Sequence, residues 1–267
     1  MKLKRVILSQ IILVIMVSGC TVSSVDIGPK REVASYSEEM IEAVQPLQVN
    51  IDVDSSSIEI YSWDKNQVKF EMTRRIRGIL KKELMEKQLE DFNVSIKQYS
   101  STISFKSKYK GSISNPIDRS VDLKIYIPKR INSIDIKMEV GRIKFIDDIK
   151  CDLNAEIDMA NVDINNFEGR INFNADMGDL RIANGEIDSG SYVNLNFGNM
   201  YIKTRLVNSG EYSFETNSGN VDLLFPTDSN VNLESTGNLG TNDFLPDKNA
   251  PGVKVRSGMG KITVTKY

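Results

Sequence analysis

Carboxylate and amide side chains recur at every second position in the C-terminal half of the chain, and these are the residues with which the sequence could do chemistry. Their alternation with apolar residues, as in Leu153 to Ile157, is typical of β-strands and places the polar side chains on one face. Amides and carboxylates in rows supply hydrogen-bond donors and oxygen ligands. The pattern predicts an acidic, amide-rich binding face made of Asn154, Glu156, Asp158, Asn172, Asn174, Asp176, Asn194, Asn196, Glu215 and Asn217, with Asp135, Asn232 and Glu234 as outlying members.

Two interpretations of this face stay open. It could hold a glycan, a wall polymer with bridging cations, or an envelope protein; or it could be an ordinary solvated surface with asparagine ladders, since charged runs are usually solvated. Calcium-binding repeats of the Gly-Gly-x-Gly-x-Asp type do not occur in the sequence. We therefore predict no metal site and no cofactor.

Catalysis on this face would need two carboxylates at a set separation, as in glycoside cleavage. Asp158 and Asp176, on neighbouring repeats, form such a pair, but a repeat generates paired acids without any selection for chemistry. The chain has no histidine, which excludes histidine-based triads and histidine-ligated zinc. We predict no catalytic residue and a non-enzymatic surface protein for adhesion or envelope-associated binding, with a polysaccharide lyase or hydrolase as the alternative.

The balance of charge excludes one class of partner. With 34 basic and 36 acidic residues, the formal net charge is −2. A nucleic-acid-binding protein would carry a concentrated basic patch. We predict no nucleic-acid partner.

The first 19 residues have the layout of an export signal: a basic head, a short apolar run, and small residues before Cys20. Val17-Ser18-Gly19-Cys20 resembles the lipobox of bacterial lipoproteins, which are cut before the cysteine and acylated on it; that family most often has leucine where Val17 stands. The resemblance implies lipidation at Cys20 and a protein attached to the membrane outside the cytoplasm. Residues 20–46, rich in Ser, Glu and Lys, are predicted to form a tether.

With Cys20 acylated, Cys151 has no partner for a disulfide. Cys151 lies two residues before the inward-facing Leu153, so the alternation directs it inward as well, at a corner where other repeats have glycine or serine. We predict a small buried apolar residue and not a reactive thiol.

The element that must position the acidic face is a repeat of about 20 residues. A small residue is followed by alternating polar and apolar positions at residues 141–145, 160–164, 178–182, 198–202, 219–223, 240–244 and 260–264. This regular period predicts a parallel β-solenoid over residues 131–267. Glycine at the corners indicates positive φ or close backbone approach, whereas Ala160 indicates a corner that is not left-handed.

The facing of the repeats follows from the same alternation. Outward columns, such as Lys144, Asp163, Arg181, Tyr201 and Asp222, are expected to stabilise stacking through side-chain pairs. The inward positions are predicted to be Ile136, Ile143, Phe145, Ala155, Val162, Ile164, Phe173, Leu180, Ile182, Leu195, Met200, Ile202, Phe214, Val221 and Leu223.

Residues 47–130 are predicted to form an N-terminal β cap of strand, helix and strand. Alternation at residues 47–53, 67–75, 94–98, 102–106 and 121–127 predicts strands, and the apolar spacing over residues 79–92 predicts one helix. The expected organisation is therefore a signal peptide (1–19), a tether (20–46), a cap (47–130) and repeats (131–267).

Taken together, this layout resembles the bacterial surface domains known as the "putative adhesin" family. The resemblance covers residues 47–267 and rests on the alternating opening strand with Ser57-Ile58-Glu59-Ile60, the strand-helix-strand insertion, and the ladder of Gly-x-Ile-x-Ile repeats. It implies a β-solenoid similar to pectin-lyase-like helices, without recognisable catalytic residues. The family supplies no active site to transfer to this chain.

Overall fold

The computed structural model describes residues 31–111, 118–207 and 210–267, and it confirms an all-β chain. The N-terminal elements are β1 (Arg31–Glu42), β2 (Gln48–Trp63), β3 (Gln67–Gly78), α1 (Lys82–Gln88), a 3-10 turn (Leu89–Asp91), β4 (Phe92–Tyr99), β5 (Thr102–Tyr109) and β6 (Asp118–Pro128). The C-terminal elements are β7 (Ser133–Lys150), β8 (Asp152–Gly169), β9 (Ile171–Met177), β10 (Leu180–Ile182), β11 (Gly185–Asp188), β12 (Tyr192–Phe197), β13 (Met200–Lys203), β14 (Arg205–Val207), β15 (Glu211–Ser218), β16 (Val221–Phe225), β17 (Asn232–Asn242) and β18 (Gly252–Lys266).

Successive repeats pair in parallel and in register. Val162 of β8 lies opposite Leu180 of β10, which in turn lies opposite Met200 of β13. On the other ladder, Phe173 of β9 lies between Ala155 of β8 and Val193 of β12. The sequence period therefore identified the correct neighbours over most of the repeats.

The predicted solenoid is nevertheless wrong, because the structure has a closed barrel of eight parallel strands with extra strands added to it. Hydrogen bonding runs from β8 through β9, β12, β15, β18, β16, β13 and β10 and returns to β8. The ring closes because β8 and β18 pass through their corners without a break, so that each pairs with two different strands. A repeat in sequence predicts which residues are neighbours, but not whether a strand continues through a corner.

The degraded sixth repeat also departs from the expected order. Val221 of β16 pairs with Ile262 of β18, and not with residues 240–244. β17 instead lies on the outer side of β18, with Leu239 opposite Ile262 and two irregularities in register. Residues 240–244, which have lost the regular pattern, are therefore the ones that lie in the strand at the edge of β18.

The strands of the predicted N-terminal cap, residues 47–130, belong to the same 18-stranded sheet as the repeats. β2 pairs in parallel with β7, from Gln48 opposite Ser133 to Ile60 opposite Phe145. β3 pairs antiparallel with both β1 and β6. The helix predicted over residues 79–92 is confined to Lys82–Gln88, and the described part of the predicted tether contains strand β1.

All fifteen predicted inward residues are buried, which confirms the facing. Cys151 is buried as predicted, and burial raises the pKa of its thiol to about 12. A thiol with so high a pKa carries almost no thiolate at neutral pH.

Corner glycines allow neighbouring repeats to approach closely. Gly219 has φ +148°, and a Cβ placed on it would lie 1.9 Å from the carbonyl oxygen of Gly198. Gly198 and Gly178 are related in the same way, with 1.9 Å between the added Cβ and the oxygen. Ala160 does not have a positive φ, as its side chain predicts.

Candidate functional site

The structure places the ten predicted face residues on one outward surface, here called the amide-acid face. They stand in three columns that cross the strands. The first column holds Asn154 and Asn172. The middle column holds Glu156, Asn174, Asn194 and Glu215. The third column holds the aligned strand positions of Asp158, Asp176, Asn196 and Asn217. Parallel in-register pairing makes this face, because each repeat contributes the same outward positions at a strand spacing of about 4.8 Å.

Amide side chains in two of the columns bond to their neighbours. Asn154 Nδ2 donates to Asp135 Oδ1 at 2.7 Å, and Asn172 Nδ2 donates to Asn154 Oδ1 at 2.9 Å. Farther along the strands, Asn196 Nδ2 donates to Asp176 Oδ1 and Asn217 Nδ2 donates to Asn196 Oδ1, both at 2.8 Å. These ladders fix the side chains. Each side-chain amide has two N–H donors and uses one of them in the ladder, so the second does not take part in it.

The middle column carries ion pairs, and its Asn174 Oδ1 also accepts a hydrogen bond from the Tyr192 hydroxyl. Lys137 Nζ lies 2.7 Å from Glu156 Oε2, and this contact raises the pKa of Lys137. Both side chains are about two-thirds exposed, so the pair adds little stability. The face is therefore acidic, but part of its charge is balanced within the column.

The surface is shallow. Two depressions of about 210 and 200 Å³ lie along it, the first around Asn154 and Asn172 and the second around Asp158 and Asp176. Within residues 31–111, 118–207 and 210–267, no three His, Cys, Asp or Glu side chains converge as metal ligands. The geometry suits a ligand that lies along the ladders and contacts many groups weakly.

The opposite outward columns stabilise the stacking, as predicted. Arg181 Nη1 lies 2.9 Å from Asp163 Oδ1, and its guanidinium lies 5.7 Å from the ring centre of Tyr201. In the next column, Asp179 N–H donates to Asn161 Oδ1 and Asn220 N–H donates to Asn199 Oδ1. These side chains are engaged in holding adjacent strands together.

Sequence reasoning missed a row of exposed apolar residues beside the amide-acid face. This apolar stripe consists of Val140, Met159, Met177, Phe197 and Met259, each 46% to 68% exposed and each directly before a corner residue. The register aligns them across β7, β8, β9, β12 and, beyond Ser218, β18. The signal was present, since an apolar residue precedes six of the seven corner residues.

An aromatic cluster was also missed. The rings of Tyr61 and Tyr126 stack with centres 4.9 Å apart, and Trp63 lies 5.3 Å from Tyr126. Lys65 lies over the ring of Trp63 and Lys69 over that of Tyr126, with Nζ 4.7 and 5.8 Å from the ring centres. Pairing of β2 with β6 creates the cluster. It could not be recognised from the sequence because Tyr61 and Tyr126 lie far apart along the chain.

Cys20 lies outside the described residues. Within the described ranges, helix α1 is too short and too polar to cross a bilayer, and no other helix is long and apolar enough to do so. Lipidation at Cys20 stays a prediction.

The family model described as Toastrack DUF4097 matches residues 48–236. No curated protein matches the chain.

Several solved structures share a weak likeness. A structure described as a putative adhesin from Bacteroides fragilis is 13% identical, with 88% of this chain and 97% of that chain covered and a TM-score of 0.42. A putative cell adhesion protein from Clostridium sporogenes is 12% identical, with 88% and 100% covered and a TM-score of 0.40. A putative lipid binding protein from Parabacteroides distasonis is 12% identical, with 86% and 96% covered and a TM-score of 0.33.

Proposed function

The chain belongs to the Toastrack DUF4097 family, and we propose that it is a non-enzymatic binding protein of the cell envelope that holds a polar polymer along its amide-acid face. The proposed ligand is a glycan or wall polymer. The protein is proposed to be lipid-anchored through Cys20 outside the cytoplasm.

The observation that carries this proposal is the pair of hydrogen-bonded amide ladders. Asn154 and Asn172 are fixed by bonds of 2.7 and 2.9 Å, so a ligand does not have to order them. Pre-organised groups bind more tightly because less conformational entropy is lost on binding. A repeating polymer fits a repeating surface, since each added unit meets the same donors and acceptors.

Binding along the face should depend on the amides of its middle column, Asn174, whose Oδ1 accepts a hydrogen bond from the Tyr192 hydroxyl, and Asn194. Asn174→Ala with Asn194→Ala is expected to weaken polymer binding by about thirtyfold, because two lost hydrogen bonds contribute about 1 kcal/mol each. A glycan and wall-polymer array, run with and without Ca²⁺, identifies the ligand and measures the loss.

The matched control is Asn93→Ala with Asn230→Ala, which removes two exposed amides outside the amide-acid face. Equal losses in the two double variants would contradict a role for the face. Turnover of a polysaccharide, abolished by one Asp substitution that leaves folding intact, would overturn the non-enzymatic assignment.

Membrane attachment should depend on Cys20. Cys20→Ala is expected to release the protein from the membrane fraction, because two acyl chains give firm anchoring and their loss removes it. Cell fractionation with immunodetection measures the distribution. Cys151→Ala, at the buried cysteine, should leave the protein in the membrane fraction; a Cys20 variant that stays equally membrane-bound would refute the anchor.

A further inference from the structure

The apolar stripe is a continuous exposed surface of a kind that soluble proteins seldom leave without a partner. Val140, Met159, Met177 and Phe197 stand in register on four adjacent strands, 46% to 56% exposed. Beside them runs a shallow groove of about 560 Å³ that these residues share with the neighbouring acidic column. Three of the five stripe residues are methionines, whose flexible side chains adapt to a partner's shape.

The neighbouring column gives the groove its charge. Glu139, Asp158 and Asp176 line it on one side. Glu139 reaches Lys108 at 3.4 Å, whereas in the described part of the chain Asp158 and Asp176 form no ion pair. The groove therefore combines an apolar floor with unneutralised negative charge along one border.

We propose that this groove binds a cationic amphipathic helix of a partner protein. The stripe crosses strands about 4.8 Å apart, close to the 5.4 Å rise of one helical turn, so successive turns can each place an apolar side chain beside one strand. Lysine or arginine on one flank of the helix would meet Asp158 and Asp176. Apolar anchors at positions i, i+3, i+4 and i+7 are the usual way in which a helix occupies such a groove.

The length of the stripe sets the length of the helix. Five strand steps from Val140 to Met259 span roughly 24 Å, which corresponds to about 16 residues of helix at 1.5 Å per residue. The acidic border distinguishes this occupant from an anionic lipid surface, which it would repel. This inference goes beyond the proposed function, because its ligand is a protein helix and its apolar anchors lie outside the amide-acid face; Asp158 and Asp176 border both surfaces.

The test uses the full chain in nanodiscs of phosphatidylcholine and a fluorescent synthetic 18-residue peptide of leucine and lysine, patterned as an amphipathic helix. Fluorescence anisotropy measures binding, with empty nanodiscs as the reference. The expected result is saturable binding that is at least tenfold weaker for a peptide of the same composition with scrambled order. Replacing every lysine with glutamate should abolish it, since the acidic border then repels the peptide.

Variants locate the binding surface. Met159→Thr, Met177→Thr and Phe197→Thr together should weaken peptide binding at least tenfold. Met40→Thr is the matched control, because Met40 is a methionine 47% exposed on strand β1, away from the stripe, and it should bind as the wild type does. Asp158→Asn with Asp176→Asn should reduce both the affinity and its dependence on salt.

Several results would overturn the proposal. They are equal binding by the scrambled peptide, equal binding by the triple threonine variant, or binding to empty nanodiscs that accounts for the whole signal. Dimerisation through the stripe would also overturn the proposal. In that case the wild type would be a dimer that does not bind the peptide, and the triple threonine variant would be a monomer. Polymer binding on the array is measured separately, so failure here leaves the proposed function standing.

Discussion

Replacing Phe173 with aspartate is expected to unfold the protein. Phe173 is 1% exposed and lies in the centre of β9, between Ala155 and Val193 on the neighbouring strands. Loss of a buried phenylalanine side chain costs about 3–5 kcal/mol, and an unpaired carboxylate in its place adds the cost of burying a charge. The sum approaches the entire stability of a typical domain, about 5–15 kcal/mol.

Circular dichroism and limited proteolysis measure the effect. Met177→Asp is the matched control, because it introduces the same charge on the same strand at a position 46% exposed, and it should change stability by less than about 1 kcal/mol. If Phe173→Asp were as stable as the wild type, the inward facing of β9 would be wrong.

Gly219→Ala is expected to be the second most damaging change. The added Cβ would lie 1.9 Å from the carbonyl oxygen of Gly198 and 2.5 Å from its carbon, and both are backbone atoms that cannot turn aside. Gly219 N–H donates to Met259 at 2.7 Å, so movement away from Gly198 disturbs the next strand as well. We expect a loss of about 3 kcal/mol, the upper end for a strained backbone position.

Gly190→Ala separates the two causes of that loss. Gly190 also has a positive φ, +79°, but an added Cβ would meet no atom within 4 Å. Its replacement should cost only the conformational term, about 1 kcal/mol. Urea unfolding monitored by circular dichroism compares the two variants; equal losses would show that close approach between repeats is not what selects glycine at residue 219.

The sequence was sufficient to predict the facing of the strands and most of the neighbours. Alternation fixes which side chains are buried, so Phe173 and Leu195 were assigned inward and Asn172 and Asn194 outward. Closure of the barrel could not be predicted, because it depends on β8 and β18 passing unbroken through their corners. β1 was missed for a related reason: its partner β3 pairs with it antiparallel, outside the repeat.

The candidate surfaces were predictable to different degrees. The amide-acid face was identified because period-2 alternation survives in every repeat that contributes to it. The apolar stripe was overlooked because Met159 and Met177 lie at the end of the alternating run, where strand and corner meet. At that point the parity of the alternation no longer says whether a side chain faces the core or the solvent.

Pairing of β2 with β7 has a consequence for the order of folding. Ser62 N–H of β2 donates to Asp147 of β7 across 85 residues, whereas Asn172 and Asn154 meet across 18. Closing the longer loop costs about 1.3 kcal/mol more in chain entropy, so contacts among the repeats form first. β2 leaves the ribosome well before β7, and its edge stays open to mispairing until residues 133–150 have been made.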